Sequence, residues 1–555
     1  MAEAEARLQV IPLGGVGEIG KNMLVIRYGD SILVIDSGLM FPEEELLGID
    51  VVIPDISYLV ENKDKVKAIL LTHGHEDHVG GLPYLLRQVN VPVYGSKLTL
   101  GIVEGKLKEH NLNKAVDLRL VKPRDKIAID QFEVEFFRVC HSIPDCMGIA
   151  IHTPMGIIVH SGDIKLDQTP VDDEVVDFRK LAELGEKGVL LMLGDSTNAD
   201  KSGFTMSEKV VGNAFDELFG KCKGRIIVTT FASNVHRIQQ VITNAKKHGR
   251  KVAVVGRSMV NNVRIALELG FMNAEDDLLV EIEEINKYPP HELVIATTGS
   301  QGEPMSALTR MATADHRWVG IQPGDTVIIS ATPIPGNEKL VAKTVDLLFR
   351  LGAEVIYQRE AGVHVSGHAS QEELKILLNL VKPKYFIPIH GEYRHLMRHA
   401  KLAESLGMPM SRIFVAENGQ VIEIGKKKAA YNGRVPAGRV LVDGLGIGDV
   451  GNIVLRDRKQ LSQDGIIIVV VTISKDTGKI LAGPDMVSRG FVYVRESEQL
   501  MDEAKEKVKE ALALCLRKNI SEWAMIKSEI RDKLGKHLHD KTGRKPMILP
   551  IIMEI

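Results

Sequence analysis

Apolar and polar residues alternate in short runs along the first part of the chain, the pattern of half-buried strands. Three such runs follow one another at 7–15, 22–29 and 31–38, and a Gly29-Asp30 turn separates the last two. Four longer apolar runs then end in polar clusters, at 65–78, 132–142, 148–163 and 189–200, with a helix predicted to open near Val79. Apolar strands that end in polar clusters predict a layered α/β fold with a loop-built site along one sheet edge.

From about Met206 the pattern changes to continuous apolar runs separated by amphipathic helices, which is typical of a parallel βαβ domain. Residues 225–256 read as strand, loop, helix and strand, and 292–304 and 325–357 continue the alternation. A helix is predicted to start near Ser370, and the strand after it, 384–392, contains a histidine near its end. The stretch after Gly425 is the most linker-like, and beyond it strands are predicted at 465–473 and 490–495 and an amphipathic helix at 497–516.

Composition adds limits rather than an assignment. The chain has 555 residues, 44% hydrophobic and 26% charged, which indicates an ordinary globular protein of several domains. The net charge of −3 gives no basic field over the whole chain, although a local groove or bound cations can still attract nucleic acid. We see no secretory signal at the start, and the longest apolar run is too short to span a bilayer. Four cysteines without a Cys-x-x-Cys pair fit a reducing cytoplasm.

A glycine-rich stretch, Gly15 to Gly20, satisfies the G-x-G-x-x-G pattern of dinucleotide-binding proteins. That motif requires a helix directly after it, whereas the residues that follow here read as strands. We therefore interpret the stretch as a turn between strands.

The sequence "ILLTHGHEDHVGGLPYLL" places three histidines and an aspartate within six positions. Side chains at alternate positions of an extended segment point the same way, so His73 and His75 share a side, and Asp77 and His78 follow at the turn into a helix. Such nitrogen and oxygen ligands suit zinc or manganese. One cluster cannot complete two coordination spheres, and the chain offers further ligands after apolar strands: His141, Asp163 and His390.

These seven residues, with the early Asp36, resemble the dinuclear site of the metallo-β-lactamase fold. The segment between Asp163 and His390 resembles the β-CASP insertion of nucleic-acid hydrolases. The motifs "GDSTNAD", "FASNVHR", "TGSQGEPMSAL", "HVSGHAS" and "IPIHGEYRHL" are similar to those of bacterial ribonuclease J, over essentially the whole chain. The resemblance implies an αββα sandwich at 1–206 and 368–448, an inserted parallel α/β domain at 207–367, a linker at 449–465 and a small α/β C-terminal domain at 466–555.

The same resemblance implies roles for the ligands. His73, His75 and His141 would hold one zinc ion and Asp77, His78 and His390 a second, with Asp163 between them and manganese as the alternative metal. Asp36 would orient a ligand histidine. His368 is the expected proton donor to the leaving oxygen, and Asp195 either positions it or binds metal.

A pocket for the 5′-monophosphate of single-stranded RNA is implied by two loops. Its expected residues are Ser233, Asn234, Val235, His364, Val365, Ser366, Gly367 and His368. A weaker hypothesis assigns a structural calcium ion to the Gly48 carbonyl, Asp50 and Asp443, which are otherwise solvated turn residues.

The implied activity is that of a cytoplasmic ribonuclease that degrades RNA 5′→3′ from monophosphorylated ends and also cuts internally, in RNA maturation and decay. The apolar stripe of the helix after Ser497 suits a homodimer, or a tetramer, but is equally compatible with packing on its own sheet. One alternative is another hydrolase of the same fold, either an endonuclease only or an enzyme that acts on a small ester, thioester or lactam. The other is an RNA-binding protein without catalysis, which usually lacks ligands, and none is missing here.

Overall fold

The computed structural model of the chain describes residues 7–43, 45–301, 306–334, 337–357, 361–474, 480–492, 497–518, 520 and 522–555. It divides into two compact units, one of residues 1–41 and 52–440 and the other of residues 42–51 and 441–555. Part of the motif "TGSQGEPMSAL", residues 302–305, lies outside the described residues. None of the helices in the described ranges combines the length and apolar character that a bilayer-spanning helix needs.

The first half of the larger unit is rich in strands, as its alternating pattern predicts. Its strands are β1 (Leu8–Gly14), β2 (Val16–Gly17), β3 (Met23–Tyr28), β4 (Ser31–Ile35), β5 (Val51–Pro54), β6 (Val66–Leu70), β7 (Val93–Gly95), β8 (Leu118–Leu120), β9 (Lys126–Ile129), β10 (Phe132–Arg138), β11 (Met147–Thr153), β12 (Gly156–His160) and β13 (Val189–Asp195). Its helices are α1 (Ser57–Glu61), α2 (Glu76–Val79), α3 (Leu82–Leu86), α4 (Lys97–Glu109) and α5 (Phe178–Lys187).

The inserted segment alternates helix and strand. It contains α6 (Lys209–Lys221), β14 (Ile226–Thr229), α7 (Val235–Lys247), β15 (Lys251–Val255), α8 (Arg257–Leu269), β16 (Leu279–Val280), β17 (Leu293–Thr297), α9 (Ala307–Ala312), β18 (Thr326–Ile329), α10 (Glu338–Arg350) and β19 (Glu354–Ile356). These strands form one parallel sheet in the order β16-β15-β17-β14-β18-β19. Helices cover both faces, which explains why its strands read as continuous apolar runs.

The chain then returns to the first domain through α11 (Gln371–Val381), β20 (Tyr385–Ile389), β21 (Gly391–Glu392), α12 (Tyr393–Ser405), β22 (Gln420–Ile424) and β23 (Ala429–Arg434). The eight-stranded sheet has the order β23-β22-β1-β3-β4-β6-β7-β8, and the six-stranded sheet has the order β20-β13-β12-β11-β10-β9. An apolar core that includes Leu33 and Ile158 lies between the two sheets. Helices α1 to α4 pack on the outside of the first sheet and α5, α11 and α12 on the outside of the second. The αββα sandwich, with its insertion, is thereby confirmed.

The smaller unit contains β25 (Gly446–Ile447), α13 (Asn452–Asp464), β26 (Ile466–Ile473), β27 (Ile480–Arg489), α14 (Glu498–Arg517), α15 (Trp523–Thr542) and β28 (Met547–Glu554), and β24 (Arg439–Asp443) runs into it. Two local expectations differ from the structure. Helix α13 occupies most of the stretch expected as a linker. The strand expected at 490–495 is absent from residues 490–492, and 493–496 lie outside the described residues; the strand that pairs with β26 ends at Arg489 instead.

The apolar stripe of α14 packs inside this unit. Ala504, Val508, Ala511 and Leu512 lie in a core with α15 and with Ile467 and Val469 of the three-stranded sheet β27-β26-β28. Of the two interpretations of that stripe, packing on its own sheet is therefore the one the structure has.

Candidate metal centre

The histidine cluster lies where β6 gives way to α2. The chain leaves β6 at Leu70 and stays extended through His75, which has ψ of 152°, before α2 begins at Glu76. The helix therefore starts three residues earlier than the sequence predicted, and Asp77 and His78 belong to its first turn. His73 and His75 come from the extended segment, and their Nε2 and Nδ1 atoms are 3.0 Å apart.

Three strand ends bring the remaining predicted ligands to the same point. His141 follows β10, Asp163 follows β12 and His390 follows β20. The Asp163 carboxylate is buried in their midst. Its Oδ2 atom lies 3.3 to 3.6 Å from the Nε2 atoms of four histidines, His73, His78, His141 and His390.

Two ligand groups share Asp163. One consists of His73, His75, His141 and Asp163, and the other of Asp77, His78, Asp163 and His390. Within each group the potential ligand atoms all lie within 4.8 Å of one another. Imidazole nitrogens and carboxylate oxygens are donors that zinc and manganese accept, and a shared carboxylate suits two adjacent cations. The donor set therefore fits a pair of divalent ions.

The second ring nitrogen of each ligand histidine has its own partner, which fixes which nitrogen faces the centre. Nδ1 of His78 donates to the Asp36 carboxylate at 2.7 Å, and Nδ1 of His141 donates to the Gly367 carbonyl at 2.7 Å. The other pairs are His73 with the Thr72 hydroxyl (3.0 Å), His75 with the Ser142 hydroxyl (3.3 Å) and His390 with the Thr197 hydroxyl (2.6 Å). Asp36 thus lies within hydrogen-bond distance of a ligand histidine, and its orienting role stays a prediction.

The protonation preferences divide along the same groups. Burial lowers the pKa of His73 and His141 well below the ordinary value and that of His75 to about 4, so these rings are neutral near pH 7. Burial also acts on His78 and His390, but the neighbouring carboxylates outweigh it and raise both pKa values, that of His390 to about 9. The second group therefore has a local excess of negative charge, which favours cations.

His368 and Asp195 form a pair beside the ligands. Nδ1 of His368 lies 2.7 Å from Oδ2 of the buried Asp195, and its ring lies between those of His141 and His390, with centroid distances of 4.8 and 5.3 Å. Oδ1 of Asp195 accepts the backbone N–H and the hydroxyl of Thr197 at 3.0 and 2.9 Å. Both expected roles of Asp195 are compatible with this geometry, because Asp195 and His368 also converge with Asp163 and His390 as a possible metal group.

Comparison with known proteins matches every part of this architecture. The model "Metallo-beta-lactamase superfamily" matches residues 16–197, "Ribonuclease J, beta-CASP domain" residues 223–348, "Zn-dependent metallo-hydrolase RNA specificity domain" residues 352–415 and "Ribonuclease J C-terminal domain" residues 453–555. Ribonuclease J2 of Bacillus subtilis is 50% identical over 548 residues, which are 99% of each chain. The chain belongs to the ribonuclease J family. It is accordingly a metal-dependent ribonuclease.

Other members of the ribonuclease J family are nearly as similar. Ribonuclease J 2 of Staphylococcus saprophyticus is 46% identical and that of Staphylococcus aureus 45%, each over 99% of this chain and 98% of the relative. A solved protein of unknown function from Enterococcus faecalis covers 75% of this chain and 100% of its own, with a TM-score of 0.55 and 18% identity. That likeness concerns the fold alone.

The residues expected around the RNA 5′ end lie on two loops that Arg237 connects. Asn234 caps α7, since its side chain accepts the backbone N–H of Arg237. The fully buried Arg237 side chain donates to the Val363 carbonyl at 3.2 Å, directly before His364. The second loop reaches the metal ligands, because its Gly367 carbonyl is the partner of His141.

Within the second loop, Val365 is buried, and the Ser366 hydroxyl accepts the Asn198 amide at 2.8 Å. Ser233 and Val235 flank Asn234 and are joined by a backbone hydrogen bond of 2.9 Å. These residues therefore lie on or next to the two loops, and their role as a 5′-phosphate pocket stays a prediction.

The loops expected to hold calcium carry an arginine. Arg458 pairs with the Asp443 carboxylate and donates to the Leu47 carbonyl at 2.8 Å, next to Gly48. Asp50 accepts the backbone N–H of Gly444 at 2.7 Å. The guanidinium thus supplies positive charge among these oxygens, and a calcium ion here stays a prediction.

The glycine-rich stretch forms a turn between β1 and β3, as interpreted, and also supports the centre. The Gly15 carbonyl accepts the backbone N–H of His390 at 2.9 Å. Asn22, just after the turn, points its side-chain nitrogen to within 3.1 Å of His78 Nε2 and 3.2 Å of the Asp77 carboxylate.

Sequence reasoning missed Asn22, Thr72, Ser142 and Thr197. Each is a common polar residue next to a strand end or turn. Only its position beside a predicted ligand, as with Thr72 before His73, could have drawn attention to it.

Proposed function

We propose that this protein hydrolyses single-stranded RNA in the 5′→3′ direction, starts from 5′-monophosphorylated ends, and also cuts internally. The observation that carries the proposal is a pair of buried, unpartnered polar atoms beside the metal centre. Among the described residues, Arg237 Nη2 and His364 Nδ1 are buried side-chain atoms without a hydrogen-bond partner. Buried polar atoms of this kind are costly unless a ligand satisfies them, and Arg237 Nη2 is necessarily a donor.

The charge around His364 supports an anionic ligand. Burial, with a smaller contribution from the cations of Arg237, Lys201 and Lys165, lowers the pKa of His364 to about 3. A neutral imidazole held among three positive side chains, next to the N-terminus of α7, matches what a terminal phosphate needs. Because Arg237 and Lys165 are buried, a monophosphate fits these surroundings better than a bulkier triphosphate.

The direct link between the pocket loop and a ligand histidine supports cleavage one nucleotide at a time. Gly367 links the pocket loop to His141 through a single hydrogen bond of 2.7 Å. A 5′-phosphate bound beside His364 would therefore leave the next phosphodiester near Asp163. An RNA that passes through the same centre without its end in the pocket would be cut internally.

The catalytic roles follow from the positions of the side chains. The two ligand groups would hold divalent ions, zinc or manganese, which lower the pKa of a water molecule and neutralise charge on the scissile phosphate. His368, with its Nδ1 atom held by Asp195, would donate a proton from Nε2 to the leaving 3′ oxygen as the P–O bond breaks. Asp195 acts by fixing the orientation of the His368 ring.

The pocket assignment is tested by the choice of 5′ end. Wild type and a Ser233→Ala/His364→Ala double variant are compared on the same RNA with a 5′-monophosphate and a 5′-triphosphate. We expect the monophosphate preference to fall at least tenfold in the double variant, since one or more charge-assisted hydrogen bonds are lost. His291→Ala, an exposed histidine of the inserted domain, is the matched control. An unchanged preference in the double variant would refute the pocket.

The C-terminal domain carries a surface that supports a homodimer. Its sheet covers α14 and α15 with one face, while the other presents Val487, Leu549 and Ile551, each between 41% and 46% exposed, on either side of Ile468 and Val470. A contiguous apolar sheet face of this kind is typical of a protein interface. Sedimentation of the whole chain tests it: wild type should sediment as a dimer or tetramer, and Leu549→Lys/Ile551→Lys as a smaller species.

The cellular role proposed is cytoplasmic RNA maturation and decay, including ribosomal RNA processing and messenger RNA turnover. Depletion of the protein should then lengthen the half-lives of monophosphorylated transcripts.

A further inference from the structure

Two large aromatic side chains lie exposed on the segments that support the metal centre. Phe204 is 63% exposed and Tyr393 is 59% exposed. Scattered exposed aromatic residues are normal. These two, however, lie on segments that are joined to residues of the metal centre.

The position of Tyr393 follows from its closeness to His390 in the chain. It begins α12 three residues after that histidine, and between them β21 pairs with β2 next to the glycine-rich turn. Tyr431 extends the same surface: its hydroxyl donates to the Val415 carbonyl at 3.1 Å, and its ring packs edge-on against Phe414. Burial raises the pKa of Tyr431, and Tyr393 is close enough to add to that shift.

The position of Phe204 follows from hydrogen bonds between its segment and His368. The hydroxyl of the next residue, Thr205, donates to the His368 carbonyl at 2.7 Å, and the Asn198 amide donates to the same oxygen at 2.9 Å. This segment also reaches α12, since the Asp200 carboxylate accepts from Arg394 at 3.2 Å. Phe204 and Tyr393 therefore stand on two adjoining segments, each tied to a residue of the centre.

The direction of the RNA strand places Tyr393 on the 3′ side of the scissile bond, together with the Phe204 segment that Asp200 joins to α12. The proposed 5′ pocket adjoins His141 in the first ligand group, whereas Tyr393 adjoins His390 in the second, across Asp163. A strand that runs from the pocket over Asp163 would leave the centre past His390.

We propose that Phe204 and Tyr393 stack against unpaired bases of the RNA on the 3′ side of the scissile phosphodiester. This inference rests on the proposed function for the direction of the strand. Stacking on aromatic rings is largely independent of base identity, so it would hold RNA of any sequence while requiring a single strand. It also supplies affinity without a basic field, in a chain whose net charge is −3.

The test is a cycle between protein variants and abasic RNA. A 5′-monophosphorylated, unstructured RNA is compared with one whose bases at the first three positions 3′ of the scissile bond are abasic, using wild type, Phe204→Leu, Tyr393→Leu and the double variant. We expect each leucine variant to raise KM for the intact RNA about tenfold, and the abasic sites, which remove the bases that stack on both rings, to raise KM of the wild type about 100-fold. For the double variant, KM should be almost the same for abasic and intact RNA. Tyr393→Trp keeps an aromatic ring and should show the wild-type KM and the wild-type abasic penalty.

Phe349→Leu is the matched control, since Phe349 is 51% exposed on α10 of the inserted domain. It should keep the wild-type KM and the full abasic penalty. If the double variant pays the same abasic penalty as the wild type, the stacking proposal is overturned while the ribonuclease assignment stands. If the wild type shows no preference for release from the 5′ end, the proposed function fails first, and the wild-type arm alone reveals it.

Discussion

The Asp36 carboxylate accepts three hydrogen bonds, and the one from a ligand histidine controls where that histidine carries its proton. It follows β4 with φ of 59°, and its Oδ1 accepts the Thr72 backbone N–H at 2.8 Å. Its Oδ2 accepts both the Thr72 hydroxyl, at 2.8 Å, and His78 Nδ1, at 2.7 Å. Because the carboxylate only accepts, Nδ1 of His78 must keep its proton, and Nε2 is the nitrogen that gives up its proton when a metal binds.

Asp36→Asn would reverse that arrangement with little change of shape. Oδ1 can keep the Thr72 N–H, but an NH2 group then replaces the oxygen that faces His78. A donor there is compatible with His78 only if Nδ1 accepts, which moves the proton to Nε2, the atom 3.3 Å from Asp163 Oδ2. Asparagine also tolerates the left-handed backbone at this position, so the effect is confined to the hydrogen bonds.

The expected loss is 10- to 100-fold in metal affinity or activity, the usual effect of removing a partner behind a metal ligand, equivalent to about 1.4–2.7 kcal/mol. The assay is calorimetric titration of chelator-treated protein with Mn²⁺ or Zn²⁺, together with RNA cleavage as a function of metal concentration. Asp30→Asn, in an exposed turn and paired with Lys65, is the control and should bind metal as the wild type does. Two ions bound with wild-type affinity by Asp36→Asn would refute the tautomer argument.

Three further outcomes are expected. His78→Ala should abolish cleavage from the 5′ end and internal cleavage together while far-UV circular dichroism stays unchanged; survival of either activity contradicts a single shared centre. Arg225→Met leaves the buried Asp325 without its 2.6 Å partner and should cost about 3–5 kcal/mol of unfolding free energy in urea, whereas Arg264→Ala, in an exposed pair, should cost less than about 0.5 kcal/mol. Burial lowers the pKa of His399 to about 4, so near pH 6.5 the unfolded chain binds a proton that the folded protein does not bind. Protonation of this ring in the unfolded chain therefore lowers the free energy of unfolding by about 2 kcal/mol as the pH falls from 7 to 5. The free energy of unfolding of His399→Gln should fall by about 2 kcal/mol less than that of the wild type over the same pH interval. An equal fall in both proteins would contradict the assignment.

The ligand set could be predicted from the sequence because each member directly follows an apolar strand or stands in the dense cluster after β6. Strands that end at one edge of a sheet bring the residues after them close together, so His141, Asp163 and His390 were expected to lie near one another. The glycine-rich turn was also interpretable, since its successor residues have the period of a strand. These inferences depend on local periodicity, which a single sequence displays directly.

The partners behind the ligands could not be predicted in the same way. Thr197 is 193 positions before His390, and Gly367 contributes only a carbonyl to His141. No residue type or spacing distinguishes such groups from other loop residues. The missed strand β27 has a similar cause: its sequence carries a glycine, a proline and an aspartate, and pairing along β26 outweighs that low propensity.

The assembly of the second ligand group depends on the return of the chain from the insertion. Strand β20 pairs in parallel with β13 so that Ile389 lies opposite Asp195, which sets His390 beside Thr197. His390 and Asp36 both have left-handed backbones, φ 54° and 59°, one at the end of a strand in each sheet. A non-glycine residue in that region costs about 1 kcal/mol, so it persists only where hydrogen bonds hold it. Two of the non-glycine residues with left-handed backbones thus fix the ligands around Asp77 and His78, and any change that weakens the β13–β20 pairing should impair the second group before the first.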